Sequence, residues 1–150
     1  MSLKQWQANG WIKPHAPTPQ EMESLFELIA RDLRDCRAKG LSDDWKFNIA
    51  YNAALQLANA ALNASGYEVQ KGESGHYRAI QSLEFTVGLA NKEVGQLDGF
   101  RKKRSQSVYD AAGMISDKEV KEMVELATTL SSRVNGWIAK NHAKFAFGQS

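Results

Sequence analysis

The chain has one cysteine, Cys36, and three prolines, and nowhere does it stay apolar for long. A single cysteine rules out an intramolecular disulfide and any zinc site built on several thiolates. No window approaches the run of about 18 apolar residues that a membrane-spanning helix needs. The opening MSLKQWQANG lacks the apolar core of a secretory signal, so a cytoplasmic protein with no membrane partner is the expectation. Charge of one sign is scarce too: a net charge of +2 is too weak a field to mark a nucleic-acid binder by itself. No alternating β-branched run is found, so no strand is expected. A glycine-rich phosphate loop of the Walker or dinucleotide type is missing as well. His15 and His142 are too scattered to suggest a metal triad, and the sequence asks for no metal and no other cofactor.

What remains is a chain of 150 residues, 43% hydrophobic and 24% charged, which suits one well-ordered domain. Residues 1–17 carry Trp6, Trp11, Pro14 and Pro17 without a sustained period. They read as an arm pinned to the body by its two indoles, whose exposure would waste apolar area. From residue 18 to 146 the pattern is a single helical bundle. TPQE at 18–21 supplies an N-cap, a proline in the first turn and a closing glutamate, a capping box that starts a helix to about Lys39. Ser42 with Asp43 and Asp44 opens a second helix, the acids acting as first-turn charges. Its body, DWKFNIAYNAALQLANAALNA, is apolar around most of its circumference, as the most buried helix of a bundle should be. GYEVQKGESG, 66–75, reads as a turn-rich loop. A third helix runs from His76 through Ile80, Leu83, Phe85 and Val87, and breaks up between Gly88 and Gly95. A fourth ends at Gly113, and SDKE at 116–119 caps a long last helix with Val120, Met123, Ala127, Leu130, Val134 and Ile138 on one face. The fold class is therefore all-α, an up-and-down bundle of about five helices.

The fourth helix contains FRKKRSQSVYD, 100–110, the only concentrated positive patch. At about 100° per residue from Leu97, Phe100 falls at about 300°, Val108 at about 20° and Ala111 at about 320°. Arg104, at about 340°, lies in the middle of that apolar stripe, and Arg101 at about 40° lies on its edge. Lys102 and Lys103 point away and form a solvated face. A guanidinium on the core side must be paired, or reach the edge of the bundle, or line a polar cavity. It either meets a carboxylate on another helix or binds an anion, for which its planar fork suits phosphate. His76, at a helix start, either packs at the loop edge or helps hold a phosphate there. Asn48, Tyr51 and Asn52 either satisfy one another's neighbours in the bundle or face Arg104 across a groove. Cys36 reads as a small core residue.

Arg104-Ser105-Gln106-Ser107-Val108-Tyr109, preceded by Arg101, resembles the arginine motif on the fourth helix of the HEPN superfamily (higher eukaryotes and prokaryotes nucleotide-binding). WKFNIAYNAALQLANAALNASGY (45–67) and GHYRAIQSL (75–83) also resemble its small bacterial members, and the likeness runs from about Pro19 to Ile138. The resemblance implies a helical bundle that pairs as a homodimer and brings two arginine motifs into one cleft. Many such proteins are metal-independent ribonucleases, and many short ones work beside a minimal nucleotidyltransferase in toxin–antitoxin pairs. The arginine is thought to hold the scissile phosphate while a histidine moves protons.

Here the histidine position reads Tyr109. Metal-free RNA cleavage needs a proton acceptor for the 2′-hydroxyl and a donor for the leaving oxygen. A phenol with a pKa of about 10 is a poor acceptor at neutral pH. The expected function is therefore a homodimeric interaction module that binds a nucleotidyltransferase partner, RNA or nucleotide through Arg101, Arg104, Ser105 and His76. The alternatives are a ribonuclease using Arg104 with Tyr109 or His76, and a purely structural bundle.

Overall fold

The computed structural model describes residues 1–109 and 115–147, apart from the side chains of 106–109. Among the described residues are α1 (Leu3–Ala8), β1 (Ile12–Pro14), α2 (Pro19–Asp35), α3 (Asp43–Ala64), β2 (Tyr67–Val69), α4 (Gly75–Ser82), α5 (Asn91–Tyr109), α6 (Asp117–Asn141) and a 3-10 turn at Ala143–Phe145. Among the described residues the fold is all-α but for one small two-stranded sheet. None of the described helices is long and apolar enough to cross a membrane.

The helix starts follow the sequence. Thr18 Oγ1 accepts from the Glu21 amide at 3.0 Å, and Pro19 occupies the first turn. Ser42 accepts from the Trp45 amide at 3.2 Å. Ser116 and Glu119 close a full capping box, with both bonds at 3.1 Å. The box expected at Thr18 is only half formed, because the Glu21 carboxylate turns to His15 Nε2 at 2.9 Å.

α3 is the axis of the bundle. Ala50, Ala53, Ala54, Ala58, Ala60 and Ala61 on it are all fully buried. Methyl-sized side chains let α2, α6, α4 and α5 pack close on different sides of one helix, and alanine keeps it strongly helical. Against this axis stand Met22, Phe26 and Ile29 of α2, Ile80 of α4, Leu97 and Phe100 of α5, and the buried face of α6. Phe47 and Phe100 meet edge to face at 5.6 Å, fixing α5 against the first half of α3. The one carboxylate buried on α2, Asp32, accepts from Asn52 Nδ2 at 2.8 Å and from Arg31 at 3.1 Å.

Several boundaries differ from the sequence reading. Strands do form. Gly66, at φ +96°, ends α3 in a left-handed turn, and the chain then pairs antiparallel with the arm, Ile12 opposite Val69 and Pro14 opposite Tyr67. At three residues each, the strands are too short to show an alternating pattern. The arm also contains α1, whose Trp6 is buried with Ile12 and Leu62 in a second small core. α2 stops at Asp35 because its last turn tightens, with the Arg37 amide on Arg34 O and the Ala38 amide on Asp35 O. The break expected from Gly88 to Gly95 comes earlier: α4 ends at Ser82, so Leu83, Phe85 and Val87 lie beyond it, Gly88 at φ +71° makes the turn, and α5 begins at Asn91 with Gly95 inside it. Gly113, the expected end of the fourth helix, lies outside the described residues.

Replacing Ala58, fully buried on α3, with leucine should destabilise the protein by about 1–3 kcal/mol through overpacking. A lowered urea midpoint at unchanged slope would show it.

A candidate anion-binding cleft

Where α5 passes the start of α4 and the middle of α3, a cavity of ≈ 330 Å³ opens. Its lining includes Tyr51 from α3, Glu73 from the β2–α4 loop, His76 from α4, and Arg101, Arg104 and Ser105 from α5. Five residues singled out in the sequence, Tyr51, His76, Arg101, Arg104 and Ser105, thus share one cleft. The Arg104 guanidinium sits 5.3 Å from the centroid of the Tyr51 ring, on the inner side of α5. The lysines of the same run diverge. Lys102 is solvated, its side chain 69% exposed, and lies 3.7 Å from Asp98. Lys103, expected on the solvated face, instead reaches across to Glu119 at 3.6 Å and ties α5 to the first turn of α6.

Arg101 is held by its own helix. Its Nε donates to Asp98 Oδ1 at 2.6 Å, and its guanidinium lies 5.5 Å from the Tyr77 ring centroid. Among the described residues its two terminal nitrogens hold no further hydrogen bond or ion pair. The half of the fork that can chelate an oxyanion is therefore unclaimed.

Tyr51 is fully buried, and burial pushes its phenol up to about 12 despite the opposing fields of Arg104 and Arg101. It keeps its proton and approaches His76 Nδ1 at 3.4 Å. His76 has an open outer edge, yet partial burial of its ring, followed by the positive fields of Arg104 and Arg101, lowers its pKa below 6.5. At neutral pH the cleft thus presents two fixed cations, a phenol donor and a neutral imidazole, with the Glu73 carboxylate also in its lining. Ser74 supplies no side-chain cap to α4.

Other candidates part from this group. Tyr109 ends α5, and its side chain lies outside the described residues. Of the three polar residues on α3, Tyr51 joins the cleft, Asn52 is bound to Asp32, and Asn48 Oδ1 is buried without a partner. His15 bridges Glu21 and Glu68, and with His142 it lines a different cavity. Cys36 is buried in the core, as its face of α2 foretells, and burial raises its pKa. Among the described residues no cluster of three or more His, Cys, Asp or Glu could hold a metal ion. A roomier groove of ≈ 500 Å³ between α2, α3 and α6 has Cys36, Val120 and Val124 in its lining and contains none of the proposed binding residues. Sequence reasoning missed Glu73, Asp98 and Tyr77. Asp98, three residues before Arg101, carried a signal in that spacing; the other two carried none.

No family model, curated protein or solved structure matches the chain. The likeness to HEPN proteins stands on the residues quoted for it.

A proton titration followed by NMR should find His76 below 6.5, and Arg104→Ala should move it upward by removing a neighbouring cation. The linkage sign follows. A histidine held neutral stabilises the fold above its unfolded pKa, and that contribution is lost as pH falls through the lowered folded value.

Proposed function

We propose that the protein is a HEPN-like interaction module whose arginine-lined cleft binds a phosphate of RNA or of a nucleotide. It acts as a homodimer and docks a nucleotidyltransferase partner, as one component of a toxin–antitoxin pair. The observation that carries the phosphate reading is the convergence of Arg101, Arg104, Ser105 and His76 on one cleft, with the terminal nitrogens of Arg101 unclaimed among the described residues. Two guanidiniums held near one cavity, beside protein walls of low polarisability, favour a compact anion. The dimer and the partner rest on the family resemblance.

A second reading has an observation of its own. His76, with its pKa lowered, is a neutral base beside the two arginines. It takes the proton from an RNA 2′-hydroxyl; the 2′-oxygen attacks phosphorus as the P–O5′ bond breaks, and the 5′-oxygen leaves with a proton from solvent water, giving a 2′,3′-cyclic phosphate. This would be a metal-independent ribonuclease working without a histidine at position 109.

Fluorescence anisotropy with a labelled single-stranded oligoribonucleotide, in EDTA, separates these readings. Arg104→Ala and Arg101→Ala should each weaken binding by about tenfold or more, the loss of a charge-assisted contact. Each should also flatten the salt dependence by roughly 0.7 in log–log slope. RNA left intact supports the binding module, while cyclic-phosphate ends lost in His76→Ala assign the nuclease. No binding by the wild-type chain overturns both and leaves a structural bundle.

Light scattering should give about twice the 16.7 kDa chain mass. A single species at chain mass throughout the micromolar range would remove the shared dimer cleft.

A further inference from the structure

Four side chains from three parts of the chain stack in series and end at the cleft. Trp11 lies between α1 and β1, in the arm. The Arg78 guanidinium of α4 covers its ring at 3.5 Å from the centroid, with Trp6 at 5.4 Å. Tyr77 stands 5.3 Å from Arg78 on one hand and 5.5 Å from Arg101 on the other. All these separations fall within the roughly 6 Å over which a cation is attracted to a ring face.

Arg101 needs such a support. A long arginine side chain loses rotamer entropy when it is fixed, and Asp98 restrains it through Nε alone. A single hydrogen bond still lets the guanidinium plane swing about that bond. The Tyr77 ring supplies a second restraint from the face, which sets the plane and leaves both terminal nitrogens for a ligand. Tyr77 is held in turn against Arg78, and Arg78 is held by the arm. Residues far from the cavity are thereby coupled to it through a continuous set of contacts.

We infer that the N-terminal arm belongs to the anion site: through Trp11 and Arg78 it seats Tyr77, the positioning residue that orients Arg101. This rests on the reading that the cleft binds phosphate. Tyr77 touches no ligand in this scheme and acts only through Arg101.

The test reads Arg101 first without any ligand, from the NMR signal of its side-chain Nε–Hε group. Tyr77→Leu should shift that resonance away from the ring-current field and lower its order parameter, whereas Tyr77→Phe should leave it in place. Trp11→Leu should disturb the same resonance; if that variant does not fold, Arg78→Gln breaks the same step and keeps both rings. In the oligoribonucleotide titration Tyr77→Leu should weaken binding about two- to fivefold, the worth of one cation–ring contact. In an Arg101→Ala background the same change should do nothing, because the interaction it supports is gone. An Arg101 resonance indifferent to Tyr77→Leu or to the arm variants overturns this inference, whatever binds. Equal loss of affinity in both backgrounds overturns it as well. A wild-type chain that binds no oligoribonucleotide overturns the anion site itself, and that result is distinct because the Arg101 signal is read in the free protein.

Discussion

A helix lined with alanine can be approached from every side, and α3 is such a helix. Six of its alanines have no exposed surface. The four helices packed on it are therefore placed by close backbone approach more than by interlocking large side chains. Close approach leaves little tolerance: a larger residue on α3 pushes a neighbour outward, and interiors packed as densely as crystals pass such strain along. The distance between α3 and α5 sets the width of the cleft, since Tyr51 rises from one and Arg104 from the other. Core geometry and site geometry are here one quantity.

The same spacing decides where cations can stand. A guanidinium brought to the inner side of a helix costs several kcal/mol unless other groups compensate it. α5 manages this by dividing its basic run. Lys102 stays in water, Lys103 is neutralised by Glu119, Arg101 leans on Asp98, and Arg104 lies over an aromatic ring. Partial burial, and after it the field of the two arginines, lowers the pKa of the neighbouring histidine, while burial keeps the Tyr51 phenol protonated. With two guanidiniums against the Glu73 carboxylate in its lining, the cleft suits an anionic ligand better than a cationic one.

Much of this was legible in the residues themselves. The caps at Thr18, Ser42 and Ser116 announced three helix starts, because a side-chain oxygen at that position satisfies amides the helix leaves open. The alanine content of α3 announced its burial, and the angular position of Arg104 announced its inward side. What could not be read was long-range pairing. β1 and β2 are each too short for a pattern, and their pairing depends on the arm folding back along Gly66–Val69. Lys103 looked solvated because its angle on α5 says nothing about where α6 begins. Glu73 and Tyr77 gave no signal for a similar reason: the cleft and the stack depend on the path of the loop before α4, which no periodicity describes.

Tyr51 belongs to the hydrophobic core and is also the floor of the cleft. The two duties limit how related chains could diverge. Trimming that ring to admit a bulkier ligand would hollow the packing between α3 and its neighbours. New selectivity is more readily gained at Glu73 and Ser105, exposed positions on the rim where a change of size or charge leaves the interior alone. Variation among descendants of this sequence should therefore collect at Glu73 and Ser105 and spare the base of the site.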